Sequence, residues 1–434
     1  MNRINIHLLI WLAVFIQLSA TSCKEQENLM LNDPEAVIEE ITVRSPQPER
    51  EIGNLNLSAE QHRIMAGLNN FAFNFLKQVK GDTDSDILFS PISISLDLSM
   101  VANAVDGSAR EEILQSFGYK EDDIAVYNSF CKKLLEGLPA VDISSSMNIS
   151  NAIFVNSNYR VKKEFKSSIN SNYYGAVENF PFADSKKVLN VINSWVEKNT
   201  NGLIPEMVDR IDPGTEVFLL NTLYYKAKLT FPFDSKHTAP RTFHAKQADV
   251  TKDFMSQTLN ARYCSNDSFS CVTLPLGSRG RFGATIILPN EDKDVNAAVN
   301  GILNKGWNSI YGSMSEAQVN VIMPKIDASA SYELEDLLKG VGIKGIFNAC
   351  DWSNMLDNGL PVLRISSAIH KATLKLDESG IEAAAATALS AAGISPEGYV
   401  KPKLYEFIAE RPFIYVIHEN SSGAILFTGV FSGK

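Results

Sequence analysis

The sequence lacks the short motifs by which many catalytic and metal-binding proteins are recognised. It has no H-E-x-x-H pair, no G-x-S-x-G turn and no phosphate-binding glycine loop. None of its 5 cysteines belongs to a C-x-x-C pair, so a zinc site is not expected. A Ser/His/Asp triad stays open, because its members can lie far apart in a sequence. We expect neither an enzyme nor a bound cofactor.

An excess of basic residues and a long internal apolar run are also missing. The chain has 40 Lys and Arg against 50 Asp and Glu, a formal charge of −10, without basic clusters. Nucleic acid is therefore not an expected partner. No internal run is long enough to span a membrane. The mixed composition is that of a globular protein, and its 434 residues alone would suggest two or three domains.

The first 22 residues are interpreted as a targeting segment. Arg3 provides a weak positive start, residues 8–16 are apolar, and Ala20-Thr21-Ser22 are small. Cys23 follows directly, and small residues ending in cysteine resemble a bacterial lipoprotein signal. Acylation of Cys23 would then hold an exported protein at the outer membrane or cell surface. The alternative is an ordinary secretory signal and a secreted protein.

Residues 23–57 are polar and contain several prolines, which predicts a flexible tether. Folded structure is predicted to begin at Ser58, because Ser58 and Gln61 have the spacing of a capping box at a helix start. Apolar residues continue at helical spacing to Val79. We therefore predict one folded domain over residues 58–434.

Cys264 and Cys271 flank a short polar stretch that fits a hairpin turn. A disulfide between them is one interpretation, since exported proteins meet oxidising conditions. Separate buried thiols are the other and the favoured one.

The stretch from Asp377 to Glu397 reads D-E-S-G-I-E-A-A-A-A-T-A-L-S-A-A-G-I-S-P-E. Its alanines favour an exposed helix by propensity. Gly380 before the alanines and Gly393 and Pro396 after them argue against a helix. The residues also alternate as in a strand, with one face carrying Ile381, Ala383, Ala385, Thr387, Leu389 and Ala391. No proline precedes Pro396, so the segment could join a sheet as a central strand.

This stretch resembles the hinge and reactive loop of the serpins. Their hinge reads Glu, any residue, Gly, a variable pair and four small residues. The matching residues here are Glu378, Gly380, Ile381, Glu382, Ala383, Ala384, Ala385, Ala386 and Thr387. Ile381 is bulkier than the threonine or serine usual there. The resemblance implies a reactive loop over about residues 378–404.

Further motifs resemble serpin motifs and follow one another in the order found in that family, over roughly residues 58–433. F-S-P-I-S-I at Phe89 resembles the shutter, which implies shutter roles for Ser90 and Ser93. Asn221 lies in an apolar strand, and the resemblance implies that it pairs with a shutter histidine, His370.

Two further segments, which in serpins lie near the hinge, can be compared with the family pattern. Val319 to Ile326 resembles the strand whose lysine pairs with the hinge glutamate, which implies an ion pair between Lys325 and Glu378. The run Ala227-Lys228-Leu229 departs from the usual G-K-W, whose tryptophan lies where the loop enters the sheet.

The resemblance implies an α+β serpin fold: a large main sheet, two further sheets and about eight or nine helices. It implies a monomer that inhibits serine proteases as a suicide substrate, with cysteine proteases as a further target class. Family spacing places the scissile bond at Ile394–Ser395, which suits an elastase-like protease. Tyr399 and Lys401 are alternative bait residues. The alternative function is a non-inhibitory serpin that acts as a binding module or is simply cleaved.

Overall fold

A computed structural model describes residues 48–119, 124–357, 362–382 and 403–434. Several predicted features lie outside these residues: Cys23, residues 383–387, the bond Ile394–Ser395, Tyr399 and Lys401.

The described residues form nine α-helices. These are α1 (Ala59–Lys80), α2 (Pro91–Ala104), α3 (Ser108–Ser116), α4 (Ile124–Val141), α5 (Lys163–Tyr173), α6 (Ser185–Asn199), α7 (Val295–Lys305), α8 (Trp307–Ser313) and α9 (Leu334–Gly340). Within the same ranges, no helix is long and apolar enough to cross a membrane.

The strands of the described residues number seventeen. They are β1 (Ile87–Phe89), β2 (Ser146–Asn156), β3 (Gly175–Phe180), β4 (Val217–Lys228), β5 (Ala239–His244), β6 (Asp249–Ser265), β7 (Phe269–Leu276), β8 (Phe282–Pro289), β9 (Ser315–Pro324), β10 (Ile326–Glu333), β11 (Cys350–Asp351), β12 (Val362–Leu363), β13 (Ile365–Asp377), β14 (Gly380–Ile381), β15 (Leu404–Ile408), β16 (Phe413–Glu419) and β17 (Ile425–Phe431).

The strands form three sheets. One has nine strands in the order β1-β17-β16-β8-β7-β6-β9-β15, with β5 on β6, and β11 and β12 form a small pair. The six-stranded sheet has the order β10-β13-β14-β4-β2-β3 and mixes parallel with antiparallel neighbours. This is the α+β architecture that the sequence predicted, and the six-stranded sheet carries the predicted hinge at its centre.

Helix α1 begins where the sequence predicted. Ser58 and Gln61 exchange both hydrogen bonds of a capping box. These bonds satisfy backbone donors that a helix start leaves free. Leu68, Phe71 and Phe75 lie on the buried face and join the main core. The predicted amphipathic helix is thus confirmed, including its first turn.

Two helices cover opposite faces of the six-stranded sheet. Helix α2 has Ser90 as its N-cap and Pro91 in its first turn, the position that proline favours, and nearly all of its residues are buried. On the other face, Trp195 of α6 packs in a second core cluster with Phe218 and Leu220 of β4. A strand inserted between β4 and β13 would therefore be covered on both faces.

The end of the predicted tether differs from expectation. Leu55 is buried, Ile52 N–H donates to Ala140 O at 2.8 Å, and Leu55 N–H donates to Ser421 Oγ at 2.8 Å. Contacts with the folded domain thus begin about five residues before the predicted boundary at residue 57. The buried side chain of Leu55, the half-buried side chain of Leu57 and these two backbone hydrogen bonds explain the docking of residues 52–57.

Cys264 and Cys271 occupy directly opposed positions on β6 and β7, so the predicted hairpin is present. Both are free thiols with sulfur atoms 3.2 Å apart. The structure has no disulfide here, but the favoured prediction of separate buried thiols is not met either, because the two thiols are in contact and Cys264 is only half-buried.

Candidate functional site

The predicted hinge enters the six-stranded sheet as the two-residue strand β14. Gly380 lies opposite Lys228 of β4 and Asp377 of β13, and Ile381 lies opposite Ala227 and Leu376. Strand β14 is antiparallel to both neighbours, and Ile381 is 1% exposed. The chain thus turns back after β13 and begins a new central strand between β13 and β4.

Gly380 is required by this geometry. Its φ of +129° is rare for residues with a side chain, and a Cβ atom would lie 2.4 Å from Ala227 O. Because Gly380 has no side chain, it can lie between the backbones of β4 and β13 at this short distance. The hinge glycine therefore has a local steric reason to be glycine.

The strand of the hinge ends, in the described residues, at Glu382. Its φ is +49°, in the left-handed region. Burial raises the pKa of the Glu382 carboxyl, and a hydrogen bond with Tyr224 and the charge of Lys226 act in the opposite direction. Glu382 thus lies at the boundary between the paired hinge and the rest of the loop.

Glu378 anchors the start of the hinge. Its Oε1 lies 2.9 Å from Lys325 Nζ and accepts a hydrogen bond from Thr238 Oγ1 at 2.7 Å. Burial alone would raise the pKa of Glu378, but the hydrogen bonds from Lys325 and Thr238 outweigh it, and the pKa lies below its ordinary value. The lysine side chain is 38% exposed, so the pair is worth under about 1 kcal/mol.

Backbone hydrogen bonds fix the entry of the hinge. Leu229 N–H donates to Ser379 O at 2.8 Å, and Phe233 N–H donates to Glu378 O at 2.9 Å. Leu229, where the family usually has tryptophan, is buried. The entry point thus has an apolar residue without the indole ring.

Ser90, Ser93 and His370 come together beneath the sheet. Ser90 N–H donates to His370 Nε2 at 2.9 Å, and Ser90 Oγ donates to Ser93 Oγ at 2.8 Å. Burial lowers the pKa of His370 to about 4. The imidazole is therefore neutral near neutral pH and acts as a hydrogen-bond acceptor.

The implied hydrogen bond between Asn221 and His370 is absent, which corrects the expectation. Asn221 Nδ2 instead donates to Asn151 Oδ1, and the buried Oδ1 of Asn221 has no partner in the described residues. The register explains this, because Asn151 of β2 lies directly opposite Asn221 of β4. The described pairing of β4 with β13 runs only to Ala368 and does not reach His370.

Sequence reasoning missed Asn151, Thr238 and Tyr224. Asn151 could have been found as a polar residue inside an otherwise apolar strand, a position that requires a hydrogen-bond partner. Thr238 and Tyr224 had no comparable signal, because their contacts to the hinge depend on pairing between distant segments.

Comparison with known proteins agrees with this geometry. The family model described as Serpin (serine protease inhibitor) matches residues 66–433. An uncharacterized serpin-like protein of Thermococcus kodakarensis is 32% identical over 377 residues, 85% of each chain. The alpha-1-antiproteinase of Rattus norvegicus is 30% identical over 390 residues, 88% of this chain and 92% of its own.

Solved structures show the same fold. An Arabidopsis serpin in its native stressed conformation has a TM-score of 0.74 and 26% identity, covering 86% of this chain and 98% of its own. The thermophilic serpin tengpin, in its native state, has a TM-score of 0.78 and 22% identity, covering 92% and 98%. The chain is a serpin-fold protein, and it belongs to the serpin family.

Proposed function

We propose that this protein is a suicide-substrate inhibitor of serine proteases, which inserts its cleaved reactive loop into the six-stranded sheet. The single observation that carries the proposal is strand β14. Gly380 and Ile381 already pair with both β4 and β13. Insertion would therefore lengthen a strand that has already begun.

The register of β14 predicts how far the loop would extend. Continuing its pairing with β4 brings residue 383 opposite Tyr225 and residue 391 opposite Val217, the first residue of β4. Residues 381–391 would then form a strand of roughly 36 Å, at about 3.3 Å per residue. Ile394, at the proposed scissile bond Ile394–Ser395, lies three residues beyond this strand, so the acylated end would reach the far end of the sheet.

The same register supports a role for the Ser90–His370 region. Thr387 would lie opposite Asn221 of β4 and His370 of β13. Its hydroxyl would be available to the buried Asn221 Oδ1, which has no partner in the described residues. Ala383, Ala385 and Leu389 would share its face with the buried side chain of Ile381. The inserted strand would thus be small, apolar or hydrogen-bonded along its buried face.

The reaction is proposed to begin as ordinary proteolysis. The hydroxyl oxygen of the protease serine attacks the Ile394 carbonyl carbon, an ester bond forms, and the Ile394–Ser395 bond breaks. The serine proton passes through the protease base to the new amino group of Ser395. Insertion then carries the acylated protease along the sheet and distorts it before water attacks the ester. Small displacements of catalytic groups suffice, because they cost large factors in rate.

Ile394 supports a preference for elastase-like proteases, whose pockets accept small or aliphatic side chains. Cysteine proteases form a corresponding thioester and are a second target class. A bait residue at Tyr399 or Lys401 would change this preference, and Lys401 would attract trypsin-like enzymes.

The test mixes the full chain with pancreatic elastase and follows the products on a denaturing gel and by mass spectrometry. We expect a stable band at the summed masses and a released peptide that begins at Ser395. Cleavage with full recovery of elastase activity, repeated with trypsin and subtilisin, would instead assign a non-inhibitory serpin.

A pair of variants separates insertion from cleavage. Thr387→Arg would place a charge opposite Asn221 in the inserted strand, so we expect cleavage without a trapped complex. Val400→Arg adds the same charge to the segment that is not inserted, and we expect the complex to remain. Equal trapping by both variants would contradict the proposed register.

We further propose that the protein is exported and anchored by lipid on Cys23. The support is the small-residue run before Cys23 and the polar sequence that follows it. Labelled palmitate should be incorporated by the parent chain and lost in Cys23→Ala. Label that persists in the variant would contradict the anchor and favour a secreted form.

A further inference from the structure

A cavity of about 490 Å³ lies far in sequence from the hinge. It is bounded by the end of α1, the β5–β6 turn, the start of α7, and the adjoining ends of β8, β16 and β17. Its volume falls in the range of about 300–1,000 Å³ that is typical of small-molecule sites. Nothing in the proposed inhibitory mechanism uses it.

Much of the wall of this cavity is apolar. The residues that give it this character are Ala245, Val250, Pro289, Val295, Pro412 and Val430. They come from several separate elements, so the apolar surface surrounds a space and is not one exposed strip. A small apolar body would be desolvated there, and removing apolar surface from water favours binding.

The side chains around the cavity carry an excess of positive charge, whereas the whole chain has a net negative charge. Of the described residues that line it, five have Lys or Arg side chains and two have carboxylates: Lys80, Lys246, Lys293, Arg411 and Lys434 against Asp84 and Asp294. Both carboxylates are already engaged. Asp84 pairs with Lys246 at 2.9 Å, and Asp294 accepts from Ala297 N–H at 2.8 Å. Lys246 and Lys293 are in turn paired with Asp84 and Asp292, each at 2.9 Å. The excess of positive charge around the cavity therefore rests on Lys80, Arg411 and Lys434.

Two buried donors in the wall lack an anionic partner. Lys80 is 8% exposed, and its Nζ donates to Thr83 O at 2.5 Å. In the described ranges no carboxylate lies within ion-pair distance of it. Arg411 donates through Nη2 to Pro289 O at 2.7 Å, whereas its buried Nε has no hydrogen-bond partner there. Lys80 is a buried charge and Arg411 is a half-buried one. Because buried charges are normally paired, these two donors around one cavity indicate a place for an anion.

We infer that this cavity binds a small amphipathic anion, with an acidic head near Lys80 and Arg411 and an apolar body against Val250 and Val430. A medium-chain carboxylate has this chemistry. The inference is independent of the reactive loop, so it stands or falls separately from inhibition.

The test titrates the full chain with decanoate and, separately, with decanol in a calorimeter. Decanol keeps the apolar body and lacks the charge. Hydrogen bonds to charged groups contribute about 1.5–3 kcal/mol, so decanoate should bind at least about tenfold more tightly. Equal binding of the two, or no binding of decanoate, overturns the inference.

Variants locate the site. Arg411→Gln and Lys80→Met should each weaken decanoate binding by about tenfold and leave decanol binding nearly unchanged. Ala248→Trp, in the β5–β6 turn, fills space without changing charge and should weaken both ligands. Arg63→Gln removes a charge from the exposed face of α1 and serves as the matched control. Decanoate binding unchanged in all three cavity variants would contradict the assignment.

A lipid surface could offer the same acidic chemistry, so vesicles of phosphatidylglycerol form a second arm. We expect Cys23→Ala protein to bind decanoate and not to sediment with the vesicles. Sedimentation that Arg411→Gln abolishes would assign the donors to a membrane and overturn the small-molecule site.

Discussion

The Lys325–Glu378 ion pair joins the hinge to a neighbouring strand. Glu378 has a lowered pKa, so the pair stabilises the protein above the ordinary value of 4.5 and loses this contribution as pH falls through the lowered pKa. We expect Glu378→Gln to cost under about 1 kcal/mol near neutral pH. Below pH 4.5 the variant should lose less stability than the parent. Thermal midpoints measured against pH test this.

Glu335→Gln is the matched control, because Glu335 forms an exposed pair with Lys339 on α9 at 2.5 Å. A variant at Glu378 that behaves like this control at every pH would show that the hinge pair has no special role.

His370 gives a second residue-scale prediction. Burial lowers its pKa to about 4 from 6.5, so the unfolded chain binds a proton in this interval that the folded chain does not. The contribution of His370 to the free energy of unfolding is therefore fully present above pH 6.5. It declines as pH falls toward 4, by on the order of 3 kcal/mol. His370→Gln keeps an acceptor for Ser90 N–H and should reduce the decline of the thermal midpoint across this range by about half. The remaining decline includes buried His418, because burial lowers its pKa to about 3. His62→Gln, at an exposed site on α1, should keep the parent slope.

At the scale of elements, β14 depends on Gly380. A side chain there would meet Ala227 O at 2.4 Å. We expect Gly380→Ala to disfavour β14 and slow loop insertion, so that more inhibitor is cleaved per protease trapped. The stoichiometry of inhibition should rise several-fold. Gly312→Ala, with no atom within 4 Å of the added Cβ, is the control and should match the parent.

Elements with local signals were predictable from the sequence. The capping box at Ser58 and the Ser90-Pro91 start of α2 are local, and both helices begin there. The pairing of β14 could not be predicted from the sequence, because its register depends on contacts between segments about 150 residues apart. The docking of Leu55 was missed for the same reason, since its polar neighbours predicted a tether and its partners lie far along the chain.

The candidate site divides in the same way. The resemblance identified Lys325, Glu378, Ser90 and His370, and the structure brings these into two contacting groups. It could not identify the true partner of Asn221, because a buried amide takes whichever neighbour the register presents.

For the whole molecule, the proposed mechanism requires an uncleaved state that is held kinetically and is not at its free-energy minimum. Cleavage at Ile394–Ser395 should release residues 382–391 to complete the central strand. We expect the thermal midpoint to rise by more than about 10 °C, since several kcal/mol shift a midpoint by that much. Scanning calorimetry before and after limited elastase treatment measures this. The Thr387→Arg variant, cleaved to the same extent by elastase, should show a much smaller rise of the thermal midpoint.

The C-terminal strands have a further consequence for the cleaved form. Residues 404–431 contribute β15, β16 and β17 to the nine-stranded sheet, where β16 and β17 are fully buried. A cut at Ile394 severs the covalent link to them and leaves every one of their backbone ladders in place. The product is then a two-chain particle, and under non-denaturing conditions its mass should differ from that of the intact protein by a single water molecule.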